Sequence, residues 1–121
     1  MVNKNRFIIS GGGTGGHIYP ALSIANKIKE SFTNSEIKFV GAKGRMEMNI
    51  VPKHGYNIQG LWISGLQRSF SFKNLLLPLK LIISFIHSFF IIIKFKPKFV
   101  IGTGGFASFP IVFISSILRI P

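Results

Sequence analysis

From Gly11 to Gly16 (GGGTGG) five of six residues are glycine, and a histidine, His17, follows directly. The flanks fix what this loop joins. Arg6 to Ser10 (RFIIS) has the apolar, β-branched makeup of a short buried strand, whereas Ile18, Ala21, Leu22, Ala25 and Ile28 recur on one helical face. The glycines therefore occupy a strand-to-helix turn. The first N–H groups of such a helix have no intrahelical partner and its dipole places partial positive charge there, so phosphate is a natural guest. Without a Cβ in the way, that guest can approach the main chain closely.

The same unit repeats along the chain. Glu36 to Val40 reads as a second strand, followed by GAKGR and a short helix from about Met46 to His54. Asn57 to Leu61 reads as a third strand. A polar loop holding ISGLQRSF then leads into a long apolar helix, Asn74 to Phe95, and Lys98 to Ile101 is a fourth strand. A second glycine loop, GTGGFASFP, opens an apolar helix that runs to about Leu118. Strands alternating with helices predict an α/β fold: a Rossmann-like parallel sheet with helices on both faces. With 121 residues the chain is one modest domain. Both glycine loops fall at the carboxyl edge of the sheet, where open α/β folds bind ligands.

Gly11, Gly13 and Gly16 satisfy G-x-G-x-x-G, a dinucleotide fingerprint that also expects an acidic residue at the end of the second strand. Here that end reads Val40, Gly41, Ala42, and Lys43 and Arg45 beyond it suit a 2′-phosphate, which keeps an NADP-binding oxidoreductase domain as an alternative. A Walker-type loop requires Gly-Lys-Ser/Thr, and Gly16-His17-Ile18 excludes it. Net charge is +12, from 15 Lys and Arg against 3 acidic residues, which suits a polyanion or an anionic membrane. A basic nucleic-acid-binding module is the second alternative, but the bases are spread along the chain and no nucleic-acid-binding motif accompanies them. Cysteine is absent, and the apolar stretch before the glycines is too short for a secretory signal, which suits the cytoplasm.

Neither glycine-loop template, dinucleotide or Walker, accounts for His17 at a helix start together with a second glycine loop. Taken in order, GGGTGGHIYPALSIA, GAKGRMEMNIVPKHGY, ISGL and GTGGFASFP with a closing IP resemble the N-terminal half of the MurG family. These bacterial glycosyltransferases add N-acetylglucosamine to the undecaprenyl-diphosphate-linked muramyl pentapeptide. The resemblance implies the N-terminal half of a two-domain GT-B enzyme, with residues 1–121 as the acceptor and membrane side and the UDP-sugar domain lying beyond them. It implies an inverting hexosyltransferase whose substrates are UDP-N-acetylglucosamine and the lipid-linked muramyl peptide. By the same resemblance the enzyme has no cofactor and sits peripherally on the cytoplasmic face of the plasma membrane. A chain that is only this half is expected not to turn over alone.

By the same resemblance Thr14, Gly15 and Gly16 approach the donor sugar and diphosphate, and Gly13, Gly102, Gly104, Gly105 and Ser108 line the cleft. Two positions depart from the family pattern: Phe109 replaces a small residue, and Gln67 precedes Arg68 after SGL. His17 is the candidate catalytic residue. Glycosyl transfer needs the acceptor hydroxyl deprotonated as it attacks, and imidazole is suited to take that proton. Two roles stay open for it, base or positioning group, and Glu47 is a rival base whose expected part is to support the N-terminus of its own helix. No metal site is expected: the acids are Glu30, Glu36 and Glu47, with no Asp, and His54 and His87 stand apart from them in sequence.

Leu81 to Ile93 is an unbroken stretch of 13 residues without a Lys, Arg or acid, short of the roughly 20 that a crossing needs. At about 100° per residue, Lys80, Ser84, His87, Ser88 and Lys94 form one narrow polar stripe. The remaining arc is wider than a helix needs to cover a sheet, so part of it is expected to stay free. Leu79, Ile82, Phe85 and Phe89, bordered by Lys94 and Lys96, are the expected membrane patch, docking on an anionic surface.

Overall fold

The computed structural model describes residues 5–63 and 77–121. Four strands, β1 (Asn5–Gly11), β2 (Ser35–Ala42), β3 (Asn57–Leu61) and β4 (Phe99–Gly104), form one sheet in the order β3-β2-β1-β4, every neighbouring pair parallel. The connections supply the helices α1 (Gly15–Ser31), α2 (Glu47–Lys53) and α3 (Leu77–Phe95), and α4 (Ser108–Ile117) follows β4. This is the expected Rossmann-like α/β arrangement. The ISGLQRSF loop beyond Ile63, with Gln67, Arg68 and Lys73, and the expected helix start at Asn74 to Leu76 lie outside the described residues.

Alternation along the strands feeds two cores. Ile9 and Phe39 face α1 and α2, where Ile18, Ala21, Leu22, Ala25, Val51 and Tyr56 are buried with them. Ile8, Val40, Leu61 and Val100 face the other way and are buried with Ile91, Ile92 and Phe95 of α3 and Ile111 of α4. Both faces of the sheet are thus covered, which is why β1 reads as a nearly continuous apolar run.

Two strands run further than their β-branched residues suggest. β2 continues through Gly41 and Ala42, which pair with Gly60 and Leu61, and β4 continues to Gly104, which pairs with Gly11 across a break in register after Ser10. The ladder therefore reaches into both glycine loops and brings them side by side.

α3 differs from an ordinary amphipathic helix. Its serines Ser84 and Ser88 are fully buried at 0% exposure, while Ile82 and Phe90 stand 56% and 55% exposed. Leu79, Ile83, Ile86, Phe89 and Ile93 are exposed as well. Small side chains on the inner face let a helix lie close to its neighbour, since packing distance follows the residues at the contact. Phe85, expected in the exposed patch, is half-buried instead: its ring lies 5.8 Å from Phe109 and 5.3 Å from Phe113 of α4.

Candidate functional site

The first glycine loop leaves β1 at Gly11 and enters α1 through Thr14, an extended residue with φ −141° and ψ 158°. The Thr14 carbonyl accepts from the N–H groups of His17 and Ile18, both at 3.1 Å, and its hydroxyl does not cap the helix. Gly13 turns the chain at φ +84°, a conformation that side chains disfavour. Thr14 and Gly16 are exposed, and Gly13, Gly15 and His17 half-buried.

His17 folds back over its own loop. Its Nδ1 lies 2.9 Å from the Gly12 carbonyl oxygen. A carbonyl only accepts, so Nδ1 carries the hydrogen, and in the neutral ring the lone pair is on Nε2. The ring rests on Gly104 of the second loop, where an added Cβ would come within 2.7 Å of Nε2. From the same loop, the Thr103 hydroxyl donates to the His17 carbonyl at 2.7 Å, which pins the first turn of α1.

The second loop serves the first. Gly12 N–H donates to the Gly104 carbonyl at 3.1 Å. Gly105, at φ +99°, lies so close that a Cβ there would overlap the Gly12 carbonyl. Ser108 opens α4, and its hydroxyl sits 2.8 Å from the Ser10 carbonyl and 2.9 Å from that of Gly104, so its hydrogen is engaged by the backbone. Gly102, Gly104, Gly105 and Ser108, with Phe109, Val112, Phe113 and Ser116, line an open cleft of about 510 Å³. Gly13, expected to line the cleft, stands outside that lining, as do Thr14, Gly15, Gly16 and His17. Phe109 lines the cleft, and its ring contacts those of Phe85 and Phe113.

Glu47 sits in the first turn of α2, as expected, but its carboxylate points elsewhere. It is 1% exposed, and it accepts from Gly13 N–H at 3.1 Å through Oε1 and from Ala42 N–H at 2.9 Å through Oε2. It joins the end of β2 to the glycine loop and has no access to a substrate. Sequence reasoning missed this link and the part of Gly12 and Thr103. The only available signal was an acid beside an arginine and two methionines, in a chain with just 3 acids.

His87, expected to stand apart, lies 3.3 Å from the side-chain nitrogen of Gln59 through its Nε2. Burial, and then the positive charge of Lys43, push its pKa down. His54 ends α2 and is exposed. Among the described residues no three His, Cys, Asp or Glu side chains come together as a metal site would require.

The sequence model of the glycosyltransferase family 28 N-terminal domain matches residues 7–121. Two proteins named UDP-N-acetylglucosamine--N-acetylmuramyl-(pentapeptide) pyrophosphoryl-undecaprenol N-acetylglucosamine transferase are similar to this chain. That of Cytophaga hutchinsonii is 62% identical over 88% of this chain and 29% of its own length. That of Christiangramia forsetii is 60% identical over 96% of this chain and 32% of its own. The crystal structure of MurG from Acinetobacter baumannii has the same fold, with a TM-score of 0.82 at 22% identity over 97% of this chain and 34% of that one. The chain thus spans about a third of the length of the relatives it matches.

Proposed function

The chain belongs to the glycosyltransferase family 28 N-terminal domain family, and from that premise we propose that it is the acceptor-side part of an enzyme transferring N-acetylglucosamine from UDP-N-acetylglucosamine to a lipid-linked muramyl pentapeptide. The similar proteins carry that activity in their names, at 62% and 60% identity. Because the chain matches about a third of their length, the activity is proposed for the full-length protein and none is expected of residues 1–121 alone.

In this reading the acceptor hydroxyl attacks the anomeric carbon of the donor with inversion. The bond from that carbon to the diphosphate oxygen breaks and UDP leaves. His17 Nε2 takes the hydroxyl proton as the new bond forms. The unpaired N–H groups at the start of α1, with the Thr14 hydroxyl beside them, face the donor's phosphate and sugar oxygens. The observation that carries the reading is the hydrogen bond from His17 Nδ1 to Gly12, which leaves Nε2 as the basic nitrogen, on a ring that packs against the cleft-lining Gly104.

The outer face of α3 supports a second element of the proposal, peripheral attachment to an anionic membrane. Leu79, Ile82 and Phe89 are exposed there, and Lys94 and Lys96 are exposed at its end. α3, with 19 residues, is long and apolar enough to cross a membrane, yet it contributes Ile91, Ile92 and Phe95 to the domain core, which favours lying on a surface over spanning it.

The decisive experiment is His17→Ala in the full-length protein. A base acts in the transition state, so kcat should fall about 10²- to 10⁴-fold with donor KM little changed. A kcat within a few-fold of wild type with a raised donor KM would make His17 a binding group and end the base assignment.

A further inference from the structure

The Gly12–Gly13 peptide unit is gripped from both sides. Its C=O accepts from His17 Nδ1 at 2.9 Å, and its N–H donates to Glu47 Oε1 at 3.1 Å. One planar amide thus separates a buried carboxylate from the candidate base. The carboxylate is itself fixed, because its other oxygen accepts from Ala42 N–H at 2.9 Å and it is 1% exposed. Space for it exists only because residues 12 and 41 are glycine, since a Cβ on either would overlap the Glu47 side chain.

We propose that Glu47 is the positioning residue for His17, acting through the Gly12–Gly13 peptide. This rests on the reading of His17 as the base and adds how the ring is aimed. A carboxylate accepting from the N–H end of an amide draws electron density toward the carbonyl end, so the bond that the carbonyl accepts is strengthened. That bond holds hydrogen on Nδ1, keeps the lone pair on Nε2 and fixes the ring plane against Gly104. The arrangement is a carboxylate orienting an imidazole, as in hydrolase triads, with a peptide unit inserted between them. It also explains a carboxylate kept out of water with two backbone N–H partners and no contact with its own helix's first N–H groups.

The test is Glu47→Gln in the full-length protein, which preserves shape but turns an NH₂ toward one of two backbone N–H donors. With ¹⁵N-labelled histidine, His17 in the parent should show hydrogen on Nδ1, and Glu47→Gln should shift population to the Nε2–H form. kcat should fall roughly ten- to a hundredfold, as a displaced catalytic group does, with donor KM within about twofold. In a His17→Ala background Glu47→Gln should cost little further. An unchanged His17 tautomer in folded Glu47→Gln, or an undiminished loss of kcat in the His17→Ala background, overturns the proposal. Should Glu47→Gln not fold, Glu47→Asp keeps the charge but is one methylene too short to reach both N–H groups, and the same tautomer shift is required of it. If His17→Ala itself retains kcat, the base reading fails, while a tautomer shift in Glu47→Gln still upholds the link between the two residues.

Discussion

The two glycine loops look alike in sequence and differ in where their polar side chains go. The loop after β1 carries reactive groups: an imidazole, a hydroxyl and the open end of a 17-residue helix. The loop after β4 has its functional groups turned inward. Thr103 and Ser108 both spend their hydroxyls on backbone carbonyls, and Gly104 and Gly105 make room for His17 and Gly12. In the proposed function the first loop presents the chemistry and the second supports it. Glycine richness alone does not say which is which; the partners of each side chain do.

The difference is sharpest in kcat. In the full-length protein His17→Ala should cost about 10²- to 10⁴-fold, whereas Ser108→Ala, which removes a buried hydroxyl bond, should leave kcat within a few-fold. Its cost should instead appear as about 1–3 kcal/mol of stability, since the Ser10 carbonyl loses a buried donor. Steady-state kinetics beside urea unfolding separates the two. A hundredfold loss of kcat in Ser108→Ala would put chemistry on the second loop and erase the contrast.

Next in size is a comparison of two glycines. Gly105→Ala places a methyl against the Gly12 backbone at φ +99° and should destabilise the fold by about 2–5 kcal/mol. Gly15 has no positive φ, and its nearest neighbour would be the Tyr19 ring at 3.4 Å. Gly15→Ala should therefore change stability by no more than about 0.5 kcal/mol. Gly15→Val should still fold and lose activity, because the branched side chain stands where the donor's phosphate is expected. Full activity in Gly15→Val would turn the first loop away from substrate.

His87 offers a smaller, pH-dependent effect. Its pKa is pushed below the ordinary 6.5, so the folded state binds that proton less readily than the unfolded state does. Stability from this group is complete above pH 6.5 and is lost as pH falls from there through the lower folded value. His87→Gln should flatten that part of the unfolding curve. An unaltered slope between pH 7 and pH 5 would mean that His87 titrates alike in both states.

How much of this was legible in the sequence depends on range. The strands and both glycine turns follow from local pattern, and β3 runs from Asn57 to Leu61 as read. The site's internal wiring does not. Gly13 and Glu47 are 34 residues apart, and nothing local marks the carboxylate as the loop's partner. The orientation of α3 was equally hidden. Ser84 and Ser88 form a polar stripe that hydropathy would send to water, yet packing takes the small residues inward and leaves isoleucine and phenylalanine outside. That Phe85 is half-buried was hidden for the same reason, since it follows from the approach of Phe109 and Phe113 from α4.

The outer face of α3 sets a third region against the loops, one where no single residue should matter much. If it docks on an anionic surface, attachment is a sum of many weak terms, and the full-length protein should sediment with vesicles containing anionic lipid. Phe90→Ser, at an exposed position, should weaken binding at every salt concentration without unfolding the domain, because it removes apolar burial worth about 2 kcal/mol. Lys94→Gln should have the smallest effect of all. One base near a charged surface contributes about 1 kcal/mol, roughly a fivefold change in partitioning at low salt, and at high salt screening should abolish the difference. A helix that spans the bilayer would ignore both lipid charge and salt. A helix covered by the rest of the full-length protein would instead make Phe90→Ser destabilising and leave no vesicle binding to lose. Salt dependence in the parent protein, matched by its loss at Lys94, is the outcome that peripheral attachment requires.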